Sequence, residues 1–246
     1  MRIVGIDTSS ATASVALLED GQLIAERCHP GFIAGHAAGL AGFKSNHAEI
    51  LLPLIESVVR QAQISLPEVS GIALSIGPGS FTGLRIGLST VKGLAYGWGI
   101  PVVGVSTLLA QAARVGEFDG AICPFLDARK HEVYAALFRK SEHGLTRLTE
   151  DCLAPVEDVI GQMRSRIGSM PGLFIGDAID RYGKRLLDSL GSDVRLCTEN
   201  FVSSCAAAVA RLGMERLRRS ETDDLGKLVP VYLRPSEAEA RRSNRI

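Results

Sequence analysis

The sequence predicts an α/β protein in which one plan is used twice, giving two mixed β-sheets covered by helices. Three observations carry this. Near the start, "RIVGID" is an apolar strand ending in Asp7, followed by a polar turn, "TSSAT", and a hairpin. About 120 residues later, "AICPFLD" again ends in an aspartate, Asp127, and again a short polar turn leads into further strands. Between the copies, strands alternate with helices, which requires a parallel portion of sheet with helices covering it.

Taken in order, "ASVALLEDGQLIAE" reads as two strands joined at Asp20-Gly21, a strong two-residue turn signal. The segment from Cys28 to Ser45 is rich in Gly and Ala, fits neither period and reads as a loop. From His47, the apolar residues Ile50, Leu51, Leu54, Ile55, Val58, Val59 and Ala62 recur at helical spacing, with a bend expected at Pro53. "GIALSI" is a strand, Ser80 to Trp98 a helix, "IPVVGV" a strand and Ser106 to Val115 a helix. In the second half, Val133 to Phe138 reads as one strand, "GLFIGDAI" as a strand with a Gly-Asp exit and Ser203 to Arg218 as a helix; "LVPVYLRP" closes the chain. The expected division is a first lobe over 1–105, a second over 106–234 whose last helix returns to the first, and a flexible tail over 235–246.

Composition narrows the function. With 27 basic and 27 acidic residues among 246, the chain lacks the basic surplus of a protein that coats DNA or RNA by itself. Five cysteines without a CxxC pair suit reduced, mostly buried thiols rather than a disulfide frame or a zinc site. No apolar run approaches the ~20 residues that cross a bilayer, and no signal peptide is evident, so a cytoplasmic protein is expected.

The glycine-rich stretch "GPGSFTGLRIGLSTVKGLA" invites a phosphate-binding reading, but its spacing fails two tests. No lysine follows a glycine as in a Walker loop, and Gly77, Gly79 and Gly83 are one residue too long for a dinucleotide fingerprint. No Asp or Glu lies anywhere from Val69 to Gly116 to hold a ribose. An anion at the Gly77 to Ser80 turn stays open, against the commoner use of Ser80 as a helix cap. Gly83, Gly87 and Ala95 share a helix face without bulk, which admits close packing, either within the domain or with another protein.

The paired aspartates leave two readings open. Asp7 and Asp127 either face one cleft, where carboxylates beside "TSS" and "DARKH" could hold hydrated magnesium in phosphotransfer, or each ties down its own turn. No nucleophile elbow, triad or metal cluster stands out, so an acid–base enzyme such as a peptidase ranks last.

The duplicated strand–Asp–hairpin plan resembles the sugar kinase/heat-shock/actin (ASKHA) superfamily. "GIDTSS", "NHAEILLPLI", the glycine-rich stretch, "GVSTL", "DARKHEVYAALF" and "VYLRP", in that order over almost the whole chain, resemble the TsaB family, also called YeaZ. The resemblance implies a non-catalytic subunit that supports TsaD, the enzyme of threonylcarbamoyl transfer to tRNA, together with the ATPase TsaE. It implies no cofactor or metal of its own, ATP being used by the partner ATPase and metal being held by TsaD. It implies tRNA contact only through the complex, no membrane or DNA, and a homodimer when the chain is alone. The two metal-binding histidines of TsaD correspond to Thr107 and Gln111, and Ala178 replaces a glycine expected in "GDAI". The partner interface implied by the family falls on His47, Leu51, Leu54, Gly83, Arg85, Gly87 and Val91. A vestigial nucleotide cleft would be lined by Asp7, Ser9, Ser10, Asp127, Arg129 and Gly176. The alternative is an active ATP-dependent ASKHA kinase or ATPase using Asp7 and Asp127.

Overall fold

The computed structural model describes residues 1–29, 47–191, 193–197 and 204–234; the predicted loop from residue 30 onward and the tail lie outside these. The first sheet is built from β1 (Arg2–Asp7), β2 (Ala13–Glu19), β3 (Gln22–His29), β4 (Gly71–Gly77) and β5 (Val102–Ser106), in the order β3-β2-β1-β4-β5. β1 and β2 are antiparallel with Asp7 opposite Ser14, while β1, β4 and β5 run parallel. Asp20 and Gly21 join β2 to β3 at φ 49° and 93°, the left-handed pair that suits the twist of a tight hairpin. The parallel crossovers are α1 (His47–Gln61) and α2 (Phe81–Trp98). Pro53 lies inside α1. α3 (Thr107–Ala113) is shorter than the predicted helix, and Ser106 caps it by accepting the Leu109 N–H at 3.2 Å.

The second sheet repeats the plan. Its strands are β6 (Gly120–Asp127), β7 (Glu132–Ala135), β8 (Phe138–Ser141), β9 (Gly144–Arg147), β10 (Cys152–Pro155), β11 (Gly172–Ile175) and β12 (Val194–Cys197). Their order is β10-β7-β6-β11-β12, with β8 beside β6 and β9 beside β8. In each half, a hairpin lies to one side of the first strand and two parallel strands to the other. The strand predicted over Val133 to Phe138 is two strands. β7 pairs with Phe125–Asp127 and β8 with Gly120–Ile122, and the break falls opposite Pro124, which has no N–H for the ladder. α4 (Val156–Ile167) and α5 (Ile179–Leu190) are the crossovers of this half, two helices not expected from the sequence. The predicted last helix is α6 (Ala206–Arg218).

The closing helices of the two halves are exchanged. α6 covers the first sheet, where Ala206, Val209, Ala210 and Met214 pack on Ile3, Ala73 and Val103. α3 covers the second, with Leu108 and Ala112 against Ile122, Phe138 and Ile175. α1 and α2 cover the first sheet's other face around Val4, Ile6 and Leu74, and α4 and α5 cover the second around Phe125 and Phe174. Each fully buried Leu, Ile or Phe contributes about 1.5–3 kcal/mol, so the exchange binds the halves through two apolar layers.

The segment after α6 straps the halves together. Asp223 accepts the Gly104 N–H at 2.7 Å and pairs with Arg216, whose guanidinium also donates to Gly104 O at 2.9 Å. This side-chain pair occupies the open edge of β5, where another strand could otherwise add. Val231 N–H then donates to Ile76 O at 2.7 Å, and Arg234 donates to Ala128 O at 2.7 Å and pairs with Glu132 of the second half.

Partial burial would raise the pKa of Asp223, but the hydrogen bonds from Arg216 and Gly104 outweigh it and hold the carboxyl below its ordinary value. A depressed carboxyl stabilises the fold above its unfolded pKa, and that stabilisation is lost as pH falls through the folded value. Asp223→Asn should therefore cost about 1 kcal/mol at pH 7. The gap in melting temperature from wild type should close below about pH 4, measured by thermal denaturation across pH.

Candidate functional site

The glycine-rich stretch closes on the chain's own first turn. Ser80 Oγ accepts the Gly83 N–H at 3.2 Å as the cap of α2, and the Ser80 N–H donates to Ser9 O at 2.6 Å. One donor of the anion site envisaged at the Gly77 to Ser80 turn, the Ser80 N–H, is thus used inside the chain. A Cβ on Gly83 would stand 2.0 Å from Thr8 O, and one on Gly87 would stand 2.3 Å from Thr8 Oγ1. Thr8 is 1% exposed. The face free of side-chain bulk is filled by Thr8, so room for a helix of another protein is not its use.

The predicted interface residues divide accordingly. Leu51 and Val91 belong to the core of the first half, with Leu54 packed against it. His47 is buried, its Nε2 donating to Ala11 O at 3.3 Å, and its ring borders Gly83. Arg85 is on the surface, but its guanidinium lies 3.9 Å over the Phe81 ring and donates to Tyr232 OH at 2.8 Å, fastening the C-terminal strap. His47, Leu51, Gly83, Gly87 and Val91 thus pack within the chain's own first half. The outer side of the same helices carries Leu52, Tyr96 and Trp98, at 52%, 87% and 47% exposure. A Cβ on Gly93 or Gly97 would meet nothing within 4 Å.

The two predicted cleft aspartates each fasten a turn. Asp7 Oδ1 accepts the N–H and the hydroxyl of Ser9 at 3.0 and 2.6 Å, and Ser10 Oγ is bonded to the backbone of Thr12. Asp127 Oδ1 accepts the Arg129 N–H at 2.8 Å, and the Asp127 N–H donates to Asp177 Oδ1 at 2.8 Å. Gly176 sits at φ 123° with Phe125 O only 2.5 Å from where a Cβ would stand, so the close β11 exit itself requires glycine. Next to Asp7, at the start of α6, burial pushes the Cys205 thiol well above its ordinary value and the Asp7 carboxylate adds to the rise. A thiol held protonated in this way is a packing residue rather than a nucleophile. Sequence reasoning missed Thr8 as the filling of the glycine face, and it missed Asp177 and Arg234 beside the second turn. Their partners lie far along the chain, and no local spacing marks them.

Thr107 and Gln111, the positions matched to the histidines of TsaD, are buried on α3. Gln111 Oε1 accepts from the Arg114 guanidinium at 3.1 Å, and Thr107 Oγ1 has no hydrogen-bond partner among the described residues. A neutral amide beside an arginine, with one hydroxyl, does not fit a divalent metal that is held by imidazoles. Among the described residues, no three His, Cys, Asp or Glu side chains gather as a metal site, and no helix is long and apolar enough to cross a membrane.

Two sheets of the same strand order with exchanged closing helices define the fold of ASKHA-type sugar kinases. A ROK hexokinase of Thermus thermophilus has it, at TM-score 0.50 and 13% identity, over 89% of this chain and 100% of that one. The family model described as TsaD, tRNA N6-adenosine threonylcarbamoyltransferase, matches residues 42–241. The chain is 32% identical to the tRNA threonylcarbamoyladenosine biosynthesis protein TsaB of Bacillus subtilis, over 98% of this chain and 97% of that protein. It superposes on YeaZ from Pseudomonas aeruginosa with TM-score 0.74 and 26% identity, covering 94% and 99% of the two chains. The chain belongs to the TsaB/YeaZ family, which is related to TsaD.

The Thr8 contact makes a prediction of its own. Gly83→Ala and Gly87→Leu should each destabilise the isolated protein by on the order of 3 kcal/mol, because the new side chain displaces Thr8 and the β1–β2 turn. Chemical denaturation of each variant checks this; an unchanged midpoint would show that the turn yields freely.

Proposed function

We propose that this chain is a non-catalytic subunit of the machinery that forms threonylcarbamoyladenosine on tRNA, where it binds TsaD and works with the ATPase TsaE. The observation that carries the reading is the side-chain set at Thr107 and Gln111, in a chain that matches TsaB from end to end. The architecture of the transferase is kept, while the two positions that would hold its metal carry a hydroxyl and an amide. The kinase alternative has less support, because Asp7 and Asp127 each accept hydrogen bonds within their own turns.

TsaD docks, in this reading, on the outer side of α1 and α2. Leu52, Tyr96 and Trp98 supply exposed apolar area there, and Gly93 and Gly97 let a partner helix approach. A second copy of the chain would take the same surface when TsaD is absent. Gly93→Leu should abolish co-purification with TsaD while leaving the melting temperature within about 2 °C of wild type. A pair that still forms would exclude this face.

Deleting the gene should remove threonylcarbamoyladenosine from digested tRNA, as read by mass spectrometry. Retention of the nucleoside at its normal level would overturn the functional reading.

A further inference from the structure

The β6–β7 turn holds a conformation that its residues disfavour. Arg129, Lys130 and His131 lie in succession at φ 65°, 54° and 61°, the left-handed region where side chains crowd the backbone. Glycine or asparagine would adopt this backbone at lower strain, but neither displays a cation. All three side chains are exposed.

The turn is fastened on several sides. Asp127 Oδ1 holds the Arg129 N–H at 2.8 Å, and Ala128 and Glu132 close the loop with N–H bonds to Glu132 O and Arg129 O, both at 3.0 Å. Val156 at the start of α4 donates its N–H to His131 O at 3.2 Å, and Arg234 from the strap donates to Ala128 O at 2.7 Å. Arg181, on α5, adds a further cation. Its NH1 lies 3.9 Å from Asp127 Oδ2, and the NH1 of Arg129 lies 3.8 Å from the same oxygen. These side chains are 49% and 85% exposed, and Lys130 has no ion pair among the described residues. Asp127 and Asp177 offset part of the charge, each with one oxygen committed to a backbone N–H.

We propose that this turn, together with Arg181, is a contact for the phosphate backbone of RNA, so that the chain touches tRNA directly. The proposal rests on the tRNA-modification reading above and goes beyond it, since the subunit then holds substrate as well as enzyme. Guanidinium groups match phosphate oxygens in pairs, and a turn whose backbone is already fastened spares the cost of ordering the loop on binding. A chain with no net charge gains such a contact only locally, where cations outnumber carboxylates.

The test is the double variant Arg129→Gly/Lys130→Gly, which keeps the left-handed backbone and removes two charges. Binding of a transcribed tRNA to the full chain, alone and mixed with TsaD, is followed by fluorescence anisotropy over a salt series. Affinity at about 0.1 M salt should fall roughly tenfold or more, and the slope of log K against log salt should flatten by about 1.5. The melting temperature should be unchanged or higher, an outcome that a purely structural role for these side chains does not produce. Equal affinity and slope for variant and wild type, including no binding by either, would overturn the proposal. So would displacement of the tRNA by millimolar ATP, which would assign the turn to a free nucleotide. Co-purification with TsaD is scored separately: its failure in the wild type counts against the functional reading, and its persistence beside unchanged tRNA affinity counts against the turn alone.

Discussion

The contact on which the rest of the structure depends is the approach of α2 to the β1–β2 turn. With Thr8 O 2.0 Å from where a Cβ of Gly83 would stand, the helix and the turn meet backbone to backbone. Three further restraints converge on this point. Ser80 caps α2 and donates to Ser9 O, Asp7 closes the turn onto Ser9, and His47 at the start of α1 reaches across to Ala11 O. One close approach therefore sets the angle of α2, the seat of α1 and the shape of the loop that leaves the first strand. The Ser80 N–H and the Ser9 N–H and hydroxyl are all committed within this contact.

Among the described residues, nothing covers Tyr96 and Trp98 on the outer side of α2 or Leu52 on α1. Inward positions on α2 are filled by Thr8 and by the core around Val4 and Leu74, while Tyr96 and Trp98 stay exposed beside two glycines with open space. The second half shows the same economy. Asp127 and Asp177 fasten backbone, Gly176 makes the exit of β11 possible, and the strap through Tyr232 and Arg234 locks both halves to each other. In the proposed function the duplicated fold serves as a scaffold that presents its surfaces to a partner.

Much of this was legible in the sequence. The repeated strand–Asp–turn gave the duplication, Asp20-Gly21 gave its hairpin, and the period of α1 and α2 placed two crossovers. The split of β7 from β8 was hidden, because the break depends on Pro124 in a different strand. α4 and α5 went unrecognised, although Val156, Val159, Ile160, Met163 and Ile167 recur at helical spacing along α4. The role of Gly83 and Gly87 was open for a physical reason: a bare helix face reports that something comes close, and spacing cannot say whether the neighbour is Thr8 or another protein. The left-handed turn at Arg129 to His131 was invisible because none of its residues signals positive φ.

Hydrogen exchange on the chain with and without TsaD reads the proposed docking face on α1 and α2 directly. Amides of α1 and α2, residues 47–61 and 81–98, should gain protection in the complex, while the turns at Asp7 and Gly176 exchange as they do in the free chain. Protection confined to those two turns, or none anywhere, would contradict docking on α1 and α2.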